Sequence, residues 1–324
     1  MEKSLFITLL QQNYERMDLF FSGDVSASIK IPLAVQYTFS RETFIGSQFE
    51  DRIKKLQKEH PKQTFRELFS PVSSRSVLIY KICAHLALHK EPQQELQRLT
   101  TNEEFLLKAG FKPSAYQNIA ALFLTDEAHA KRAKSLHDDM KKQHYFLTGK
   151  DDIPYAVLLT KRAGNNGTLA ETMRSYYDVL TKKGFKSGEA LQAMTQLLTL
   201  HDEVFQPLLV DYVVAMKEAF TKHGIKVKKK FYPYLALLAL SAATTQVVDA
   251  IVEMEYELRE LKMYALEPEY ALMTATQFML QDRVRNEMLV DFKDSLLFMQ
   301  ALDIIDFMQD ISFWVMLDIL DLFI

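Results

Sequence analysis

Few residues in this sequence could do chemistry, and the first of them are two histidines. His85 and His89 stand four residues apart, with Cys83 nearby, so one helix face would present two ring nitrogens, as zinc sites require. No carboxylate follows in a matching pattern, and no second Cys/His pair is present. Packing of the two rings on a surface or between helices is therefore favoured, and we predict neither a metal nor any other cofactor.

A second group of histidines falls in the middle of the chain. His129, His137 and His144 lie on one side of a helix predicted from Thr125 to Gln143, where apolar residues also fall. Because an apolar face normally turns toward the protein interior, the pattern favours a partly buried packing seam over a functional cluster.

Motifs for catalysis or nucleotide binding are missing from the sequence. It contains no paired CxxC, no HExxH and no GxSxG pattern. The run from Gly164 to Gly167 lacks the lysine and the preceding strand of a phosphate-binding loop, so it is interpreted as a flexible turn before a helix cap at Thr168. We therefore predict that the protein is not an enzyme.

Lysines form the one cluster with functional content. The cluster comprises Lys226, Lys228, Lys229 and Lys230, and Lys182, Lys183 and Lys186 take the same place one helix pair earlier. Stacked pairs would align these turns along one edge, which could contact the phosphate backbone of single-stranded nucleic acid. The alternative is that the lysines complement helix C-termini and keep the edge soluble, and the net charge of -3 favours it.

These lysines belong to a phrase that recurs at the ends of predicted helices. Its copies are Lys108-Ala109-Gly110-Phe111-Lys112, Lys183-Gly184-Phe185-Lys186 and Lys222-His223-Gly224-Ile225-Lys226. Glycine suits the left-handed turn that ends a helix, the apolar residue folds back onto it, and lysine complements the helix dipole. The phrase therefore predicts helix stops.

Apolar runs recur with a similar period. Pro32 to Thr38 resembles Pro154 to Thr160, and both end on threonine, as does the run ending in Leu124-Thr125. A spacing of about 35 to 45 residues is typical of helical-hairpin repeats. Glycine and proline number only 9 each, which also favours helix over strand. We predict an all-α fold of stacked helical hairpins, an α-solenoid similar to TPR or PPR superhelices.

The predicted organisation is a single elongated domain over residues 1–324. Residues 1–70 follow the hairpin pattern less well, residues 71–285 form the repeats, and residues 286–324 form amphipathic C-terminal helices. Within the last part, the acidic side chains gather on one side of the helix and argue against a transmembrane segment; they are Asp303, Asp306, Asp310, Asp318 and Asp321.

Helix starts are predicted from capping chemistry. The runs Thr101 to Glu104 and Thr168 to Glu171 fit the capping box, in which a hydroxyl and a carboxylate each satisfy an orphan backbone N–H. Pro154 and Pro268 follow acidic residues and suit the first turn of a helix.

The cellular compartment is predicted from two features of the sequence. A single cysteine, Cys83, fits a reducing environment, and residues 1–20 carry acid and amide groups that do not resemble a signal peptide. We predict a cytoplasmic protein.

Two stretches resemble a known family. The runs Leu122 to Ala133 and Phe146 to Tyr155 are similar to an uncharacterised family of low-GC Gram-positive bacteria, domain of unknown function 4003. The resemblance implies no activity, so no functional residue is carried over. The phrase Met140-Lys141-Lys142 also resembles RNA-binding pentatricopeptide repeats, but the first helices are apolar where base-reading positions would fall.

Two hypotheses about function follow from these patterns. The first is a non-catalytic scaffold that binds another protein or a peptide, because stacked hairpins offer extended concave surfaces. The second is a non-specific binder of single-stranded nucleic acid that uses the lysine cluster. A metal protein based on His85 and His89 is a third, weaker alternative.

Overall fold

The computed structural model describes residues 1–21, 25–59, 77–143, 147–289, 292 and 294–309. All regular secondary structure in these residues is helical. These residues form fifteen α-helices and no strand, so the all-α prediction is confirmed. The helices are α1 (Lys3–Phe21), α2 (Ala27–Phe39), α3 (Gly46–Glu59), α4 (Val77–Leu88), α5 (Pro92–Lys108), α6 (Ala115–Phe123), α7 (Glu127–Gln143), α8 (Ile153–Leu159), α9 (Asn166–Lys182), α10 (Glu189–Thr199), α11 (Pro207–Lys222), α12 (Tyr232–Leu240), α13 (Thr245–Arg259), α14 (Pro268–Arg285) and α15 (Ser295–Met308).

The chain divides into two compact units. The first unit comprises residues 1–103, 256–274 and the chain from 307 onward, and the second comprises residues 104–255 and 275–306. The expected single elongated domain over residues 1–324 stays a prediction.

In the first unit, an aromatic cluster joins the opening helices. Helix α1 packs on α2 and α3, and α4 packs on α2 and α3. The ring of Phe44 lies at the centre, 5.6 Å from Phe20, 6.0 Å from Phe21, 5.3 Å from Tyr37 and 5.6 Å from Phe49. These edge-to-face and tilted contacts hold the start of α3 against the end of α2.

In the second unit, short buried helices alternate with longer amphipathic ones. Helix α8 contacts α6 and α10, and α10 also contacts α12, while α9 contacts α7 and α11. Every residue of α8 and α12 is buried, whereas α9 and α11 each bury one face. We call α6, α8, α10 and α12 the inner helices. The contacts fit the predicted stack of hairpins, and the superhelix itself stays a prediction.

The inner helices end on hydroxyl residues that bond their own last turn. Thr160 Oγ1 donates to Ala156 O at 2.6 Å, and Thr199 Oγ1 donates to Thr195 O at 2.9 Å. Ala156 O also accepts the backbone N–H of Thr160, so the hydroxyl adds a second hydrogen bond within the last turn. The threonine ending that recurs in the sequence thus places a hydroxyl that bonds within its own helix.

Arginines from neighbouring segments complete these helix ends. In three places a guanidinium donates to a carbonyl just beyond an inner helix: Arg132 to Thr160 O (3.1 Å), Arg162 to Leu200 O (2.6 Å) and Arg283 to Ser241 O (2.7 Å). A cation at a helix C-terminus also complements the helix dipole. Neighbouring segments are thus joined by hydrogen bonds from arginine side chains to backbone carbonyls, as well as by apolar contact.

The glycine phrases end helices as predicted. Gly110, Gly184 and Gly224 have φ values of 100°, 82° and 77°, in the left-handed region. After α9, the N–H of Phe185 donates to Leu180 O at 3.1 Å and that of Gly184 to Thr181 O at 3.0 Å, the two bonds of a Schellman motif. The predicted helix stops are confirmed.

The predicted capping boxes are wrong, whereas the proline starts are confirmed. Asn165, not Thr168, caps α9, and its side chain accepts from the N–H of Thr168 at 3.2 Å, because the helix begins before the threonine. The run Thr101 to Glu104 lies inside α5, where buried leucines on either side of it continue the helix through the local cap signal. Pro154 and Pro268 stand in the first turns of α8 and α14.

Helix α15 is amphipathic, as expected. Leu297, Phe298 and Ile305 are buried, while Asp303 on the other side is exposed. Asp306 accepts a long hydrogen bond from Gln277 Nε2 at 3.4 Å. The predicted acidic positions Asp310, Asp318 and Asp321 lie outside the described residues. No helix within the described ranges is long and apolar enough to cross a membrane.

Replacing Gly184 with valine tests the helix stop. A Cβ at this position would meet no atom within 4 Å, so the cost comes from the positive φ alone. We expect a loss of about 1 kcal/mol or more in the free energy of unfolding, measured by urea denaturation, because a β-branched residue disfavours this conformation. Gly184→Asn is the matched control and should lose less, since asparagine tolerates the left-handed region. Equal stabilities of wild type and Gly184→Val would contradict the assignment.

Candidate functional site

Two lysine-rich turns of the second unit lie side by side. Lys229 Nζ donates to Ser187 O at 2.8 Å, and the hydroxyl of Tyr232 accepts from the N–H of Lys186 at 3.2 Å. These bonds join the turn after α9 to the turn after α11. We call the exposed lysines of the two turns the lysine edge: Lys182, Lys183, Lys186, Lys226, Lys228, Lys229 and Lys230.

Lysines next to the glycine stops also have structural contacts. Lys217 Nζ lies 4.3 Å from the centre of the Phe185 ring and donates to Gly184 O at 3.4 Å. This cation–π contact and helix-end bond are what the alternative interpretation expects. Within the lysine edge itself, the structural bond is that of Lys229 to Ser187 O, and it accompanies a concentrated positive charge.

The histidines of α4 face a glutamate that the sequence did not indicate. His85 Nε2 lies 2.8 Å from Glu95 Oε1, and His89 Nε2 lies 3.8 Å from Oε2. Arg98 binds the same carboxylate through Nε at 2.8 Å and Nη2 at 2.6 Å. Burial raises the pKa of Glu95, but the hydrogen bonds from Arg98 and His85 outweigh it and hold the pKa well below its usual range. The carboxylate is therefore ionised and fully engaged.

A metal site is not formed by these groups. In the part of the chain that the structure describes, no three His, Cys, Asp or Glu side chains are arranged to hold a metal ion. Cys83 is a buried free thiol, and burial raises its pKa to about 12. A thiol held protonated in this way is a poor metal ligand and a poor nucleophile.

The histidines of α7 bind backbone carbonyls, as the packing-seam interpretation predicts. The Nε2 atoms of His129 and His137 donate to Val157 O and Gly149 O, both at 2.8 Å. Burial lowers the pKa of both rings, so each acts as a neutral donor that joins α7 to the segment of α8. The prediction is confirmed for these two residues, and His144 lies outside the described residues.

A buried acid beside α8 has a strongly raised pKa. Asp152 is only 2% exposed, and its carboxylate accepts from Gln192 Nε2 at 2.8 Å, Gln196 Nε2 at 2.5 Å and the N–H of Gly149 at 2.8 Å. Burial, and then the charge of Asp151, raise the pKa of Asp152 to about 7. Both glutamines come from α10, so this network joins α8 to α10.

The sequence marked this acid only as part of a helix start. Its partners lie 40 and 44 residues further along the chain, and no local pattern connects them. A carboxyl that titrates near neutrality could transfer protons in a cleft. Asp152 is closed off among its hydrogen-bond donors, however, so its arrangement is that of a buried cross-link between helices.

A cleft of about 450 Å³ is a candidate site in the second unit. One wall comes from the ends of α6 and α8 and the start of α7, and the other from α15. The lining residues are Thr125, Asp126, Ala128, His129, Arg132, Thr160 and Lys161 on the first wall, and Asp294, Leu296, Leu297 and Gln300 on the second. Charged, hydrogen-bonding and apolar groups thus converge on one concave surface, as in ligand sites generally.

The polar wall of the cleft is rigidly held. Arg132 donates to Thr160 O at 3.1 Å and to Gly164 O at 3.2 Å. Asp126 Oδ1 accepts from the N–H of His129 at 2.8 Å, and this backbone hydrogen bond lowers the pKa of Asp126. On the facing wall, Leu297 is buried but Leu296 is 70% exposed, so an apolar side chain stands uncovered at the rim.

These observations define an all-α protein in the described part of the chain. The chain belongs to the family described as a protein of unknown function (DUF4003), whose profile matches residues 13–309. The resemblance seen in the sequence is thereby confirmed. An uncharacterised protein of Bacillus subtilis (strain 168), YeaA, is similar, with 26% identity over 235 residues and 69% of each chain covered. No solved structure matches the chain.

The raised pKa of Asp152 predicts how the stability of the protein depends on pH. Because the pKa of Asp152 rises from 3.8 to about 7 on folding, the folded state binds more protons between these values, and its contribution to stability falls as pH rises. Asp152→Asn removes this contribution. We expect the variant to become more stable relative to wild type between pH 4 and 7, by up to about 4 kcal/mol, because each pKa unit corresponds to about 1.4 kcal/mol.

The quantity to measure is the difference in the free energy of unfolding between the wild type and Asp152→Asn. His129 and His137 have lowered pKa values and contribute with the opposite sign, but they are common to both. Urea denaturation at several pH values gives this difference directly. Asparagine also loses the bond from Gly149, which shifts the difference without changing its slope. Asp202→Asn, an exposed change, is the control, and a pH-independent difference for Asp152→Asn would contradict the prediction.

Proposed function

We propose that the protein is a non-catalytic binding protein for another protein or a peptide, and that the cleft beside α15 is where the partner docks. The supporting observation is the pairing of a fixed polar wall, which includes Arg132 and Lys161, with the exposed side chain of Leu296. A peptide offers main-chain donors and acceptors together with apolar side chains, and this cleft matches both.

Architecture supports a peptide or protein partner over a small metabolite. Two walls from distant parts of the chain form the cleft, and the stacked inner helices would extend the surface beyond it as a solenoid. The proposed setting is the cytoplasm, in keeping with the single, buried Cys83.

Leu296→Glu tests this proposal. Peptides are selected on the wild-type protein by phage display, and their dissociation constants are measured by fluorescence anisotropy. We expect Leu296→Glu to weaken binding by about tenfold or more, because a charge replaces an apolar contact at the rim. Leu266→Glu is the matched control, since Leu266 is 87% exposed and does not line the cleft. The proposal fails if no peptide is selected, or if both variants bind like the wild type.

A second candidate function is favoured by the lysine edge. The bond from Lys229 to Ser187 O brings two lysine-rich turns together on a chain whose net charge is -3. Such a local concentration of cations could track the phosphates of single-stranded nucleic acid. We do not propose sequence-specific recognition of the bases, because the inner helices that would contact them are buried and apolar.

The double variant Lys228→Glu/Lys230→Glu tests this alternative and keeps the structural bond of Lys229. Binding of a single-stranded oligonucleotide of about 20 nucleotides is measured against salt concentration. We expect binding that falls steeply with salt and is lost in the variant, because each lysine that contacts a phosphate releases a counterion. Lys54→Glu/Lys58→Glu on α3 is the control. Absence of binding at low salt, or binding that does not depend on salt, would exclude this function.

A further inference from the structure

A second, smaller pocket lies within the first unit. It has a volume of about 220 Å³ and is bounded by the end of α2, the start of α3 and the end of α4. Its polar lining consists of Tyr37, Glu42, Thr43, Gln48, Arg52 and Lys90, and the ring of His89 forms part of the wall. The pocket is smaller than the usual binding site of a drug-sized molecule, so it suits a single functional group.

Tyr37 is the residue that points to a ligand. It is only 6% exposed, with its ring against Phe44 at 5.3 Å, yet its hydroxyl has no hydrogen-bond partner among the described residues. The hydroxyl oxygen is not among the fully enclosed polar atoms that lack a partner, so it opens to the pocket and can donate to a ligand there. Burial raises the pKa of Tyr37, so the hydroxyl stays a neutral donor at the pocket.

Two cations face the same space. Arg52 and Lys90 are exposed side chains that line the pocket, and neither makes an ion pair within the described part of the chain. Arg52 and Tyr37 both line the pocket, and the charge of Arg52 lowers the pKa of Tyr37 against the larger effect of burial. Glu42 is the one carboxylate in the lining, so the cations outnumber it.

Neighbouring groups favour a negative charge in this place. The pocket includes first-turn residues of α3, a helix that begins at Gly46 with no acid in that turn, so its dipole is uncompensated there. His89 does not supply a donor, because its Nδ1 accepts from the N–H of Glu91 at 3.3 Å and its Nε2 lies toward Glu95. The available donors are thus a phenol, a guanidinium and an ammonium, with Thr43 and Gln48 beside them.

We propose that this pocket binds a small phosphate: inorganic phosphate, or the phosphate group of a small metabolite. A guanidinium binds such an oxyanion through two parallel hydrogen bonds, and the remaining oxygens accept from Tyr37 and Lys90. A carboxylate has only two oxygens and would leave part of this donor set unused. The inference concerns a different unit from the peptide-binding cleft and does not depend on it.

Thermal unfolding and calorimetry of the full chain test the site. About 10 mM phosphate should raise the melting temperature of the wild type, because a ligand that binds only the folded state stabilises it. Without phosphate, Tyr37→Phe should be at least as stable as wild type, since the hydroxyl it removes has no hydrogen-bond partner among the described residues. With phosphate, this variant should lose most of the increase. Arg52→Gln and Lys90→Gln should each weaken the dissociation constant about tenfold.

Matched controls separate a built site from general screening. Lys58→Gln removes an exposed cation from the same helix outside the pocket and should bind phosphate like the wild type. Sodium chloride at equal ionic strength should give no increase, and acetate a smaller one. Tighter binding of glycerol phosphate than of inorganic phosphate would identify a metabolite as the source. The proposal is overturned if wild type does not respond to phosphate, if chloride acts equally, or if Tyr37→Phe and Arg52→Gln bind unchanged.

Discussion

The second unit depends on how the ends of its buried inner helices are satisfied. Helix α8 has 7 residues and α12 has 9, lengths that are not stable alone in water, and all of their side chains are buried. The last carbonyls of such a helix need partners from outside it. Arg132, Arg162 and Arg283 provide them from neighbouring segments, so no hairpin of this unit is complete without the next. Stability must therefore be shared between neighbours, as in repeat proteins.

The cleft follows from the same constraint. Arg132, His129 and Thr160 line it, and each is also bonded to the end of α8. Side chains fixed in this way present their remaining hydrogen-bonding capacity in one geometry, which lowers the entropy lost when a partner binds. The geometry of this wall of the cleft is thus a direct consequence of capping α8.

Local patterns in the sequence predicted what local physics determines. The positive φ of Gly184, the proline at the start of α8 and the buried face of α7 all depend on residues within one or two helical turns. The partners of Asp152 and the pocket around Tyr37 could not be predicted, because they join segments that only the tertiary fold brings together. The error at Thr101 has the same origin, since the packing of α5 overrides a local cap signal.

The candidate sites differ in how far the protein itself supplies hydrogen-bond partners for their polar groups. Asp152 and Glu95 are strongly perturbed, but their hydrogen-bond donors surround them, so their chemistry is used within the fold. Lys229 is an intermediate case, because one of its hydrogen bonds goes to Ser187 O while its charge remains at the surface. Tyr37 is the opposite case, a buried hydroxyl beside cations with no partner in the described chain. Its hydroxyl opens to the pocket and is free to donate to a molecule that enters it, and for that reason the phosphate site rests on a hydroxyl rather than on the lysines.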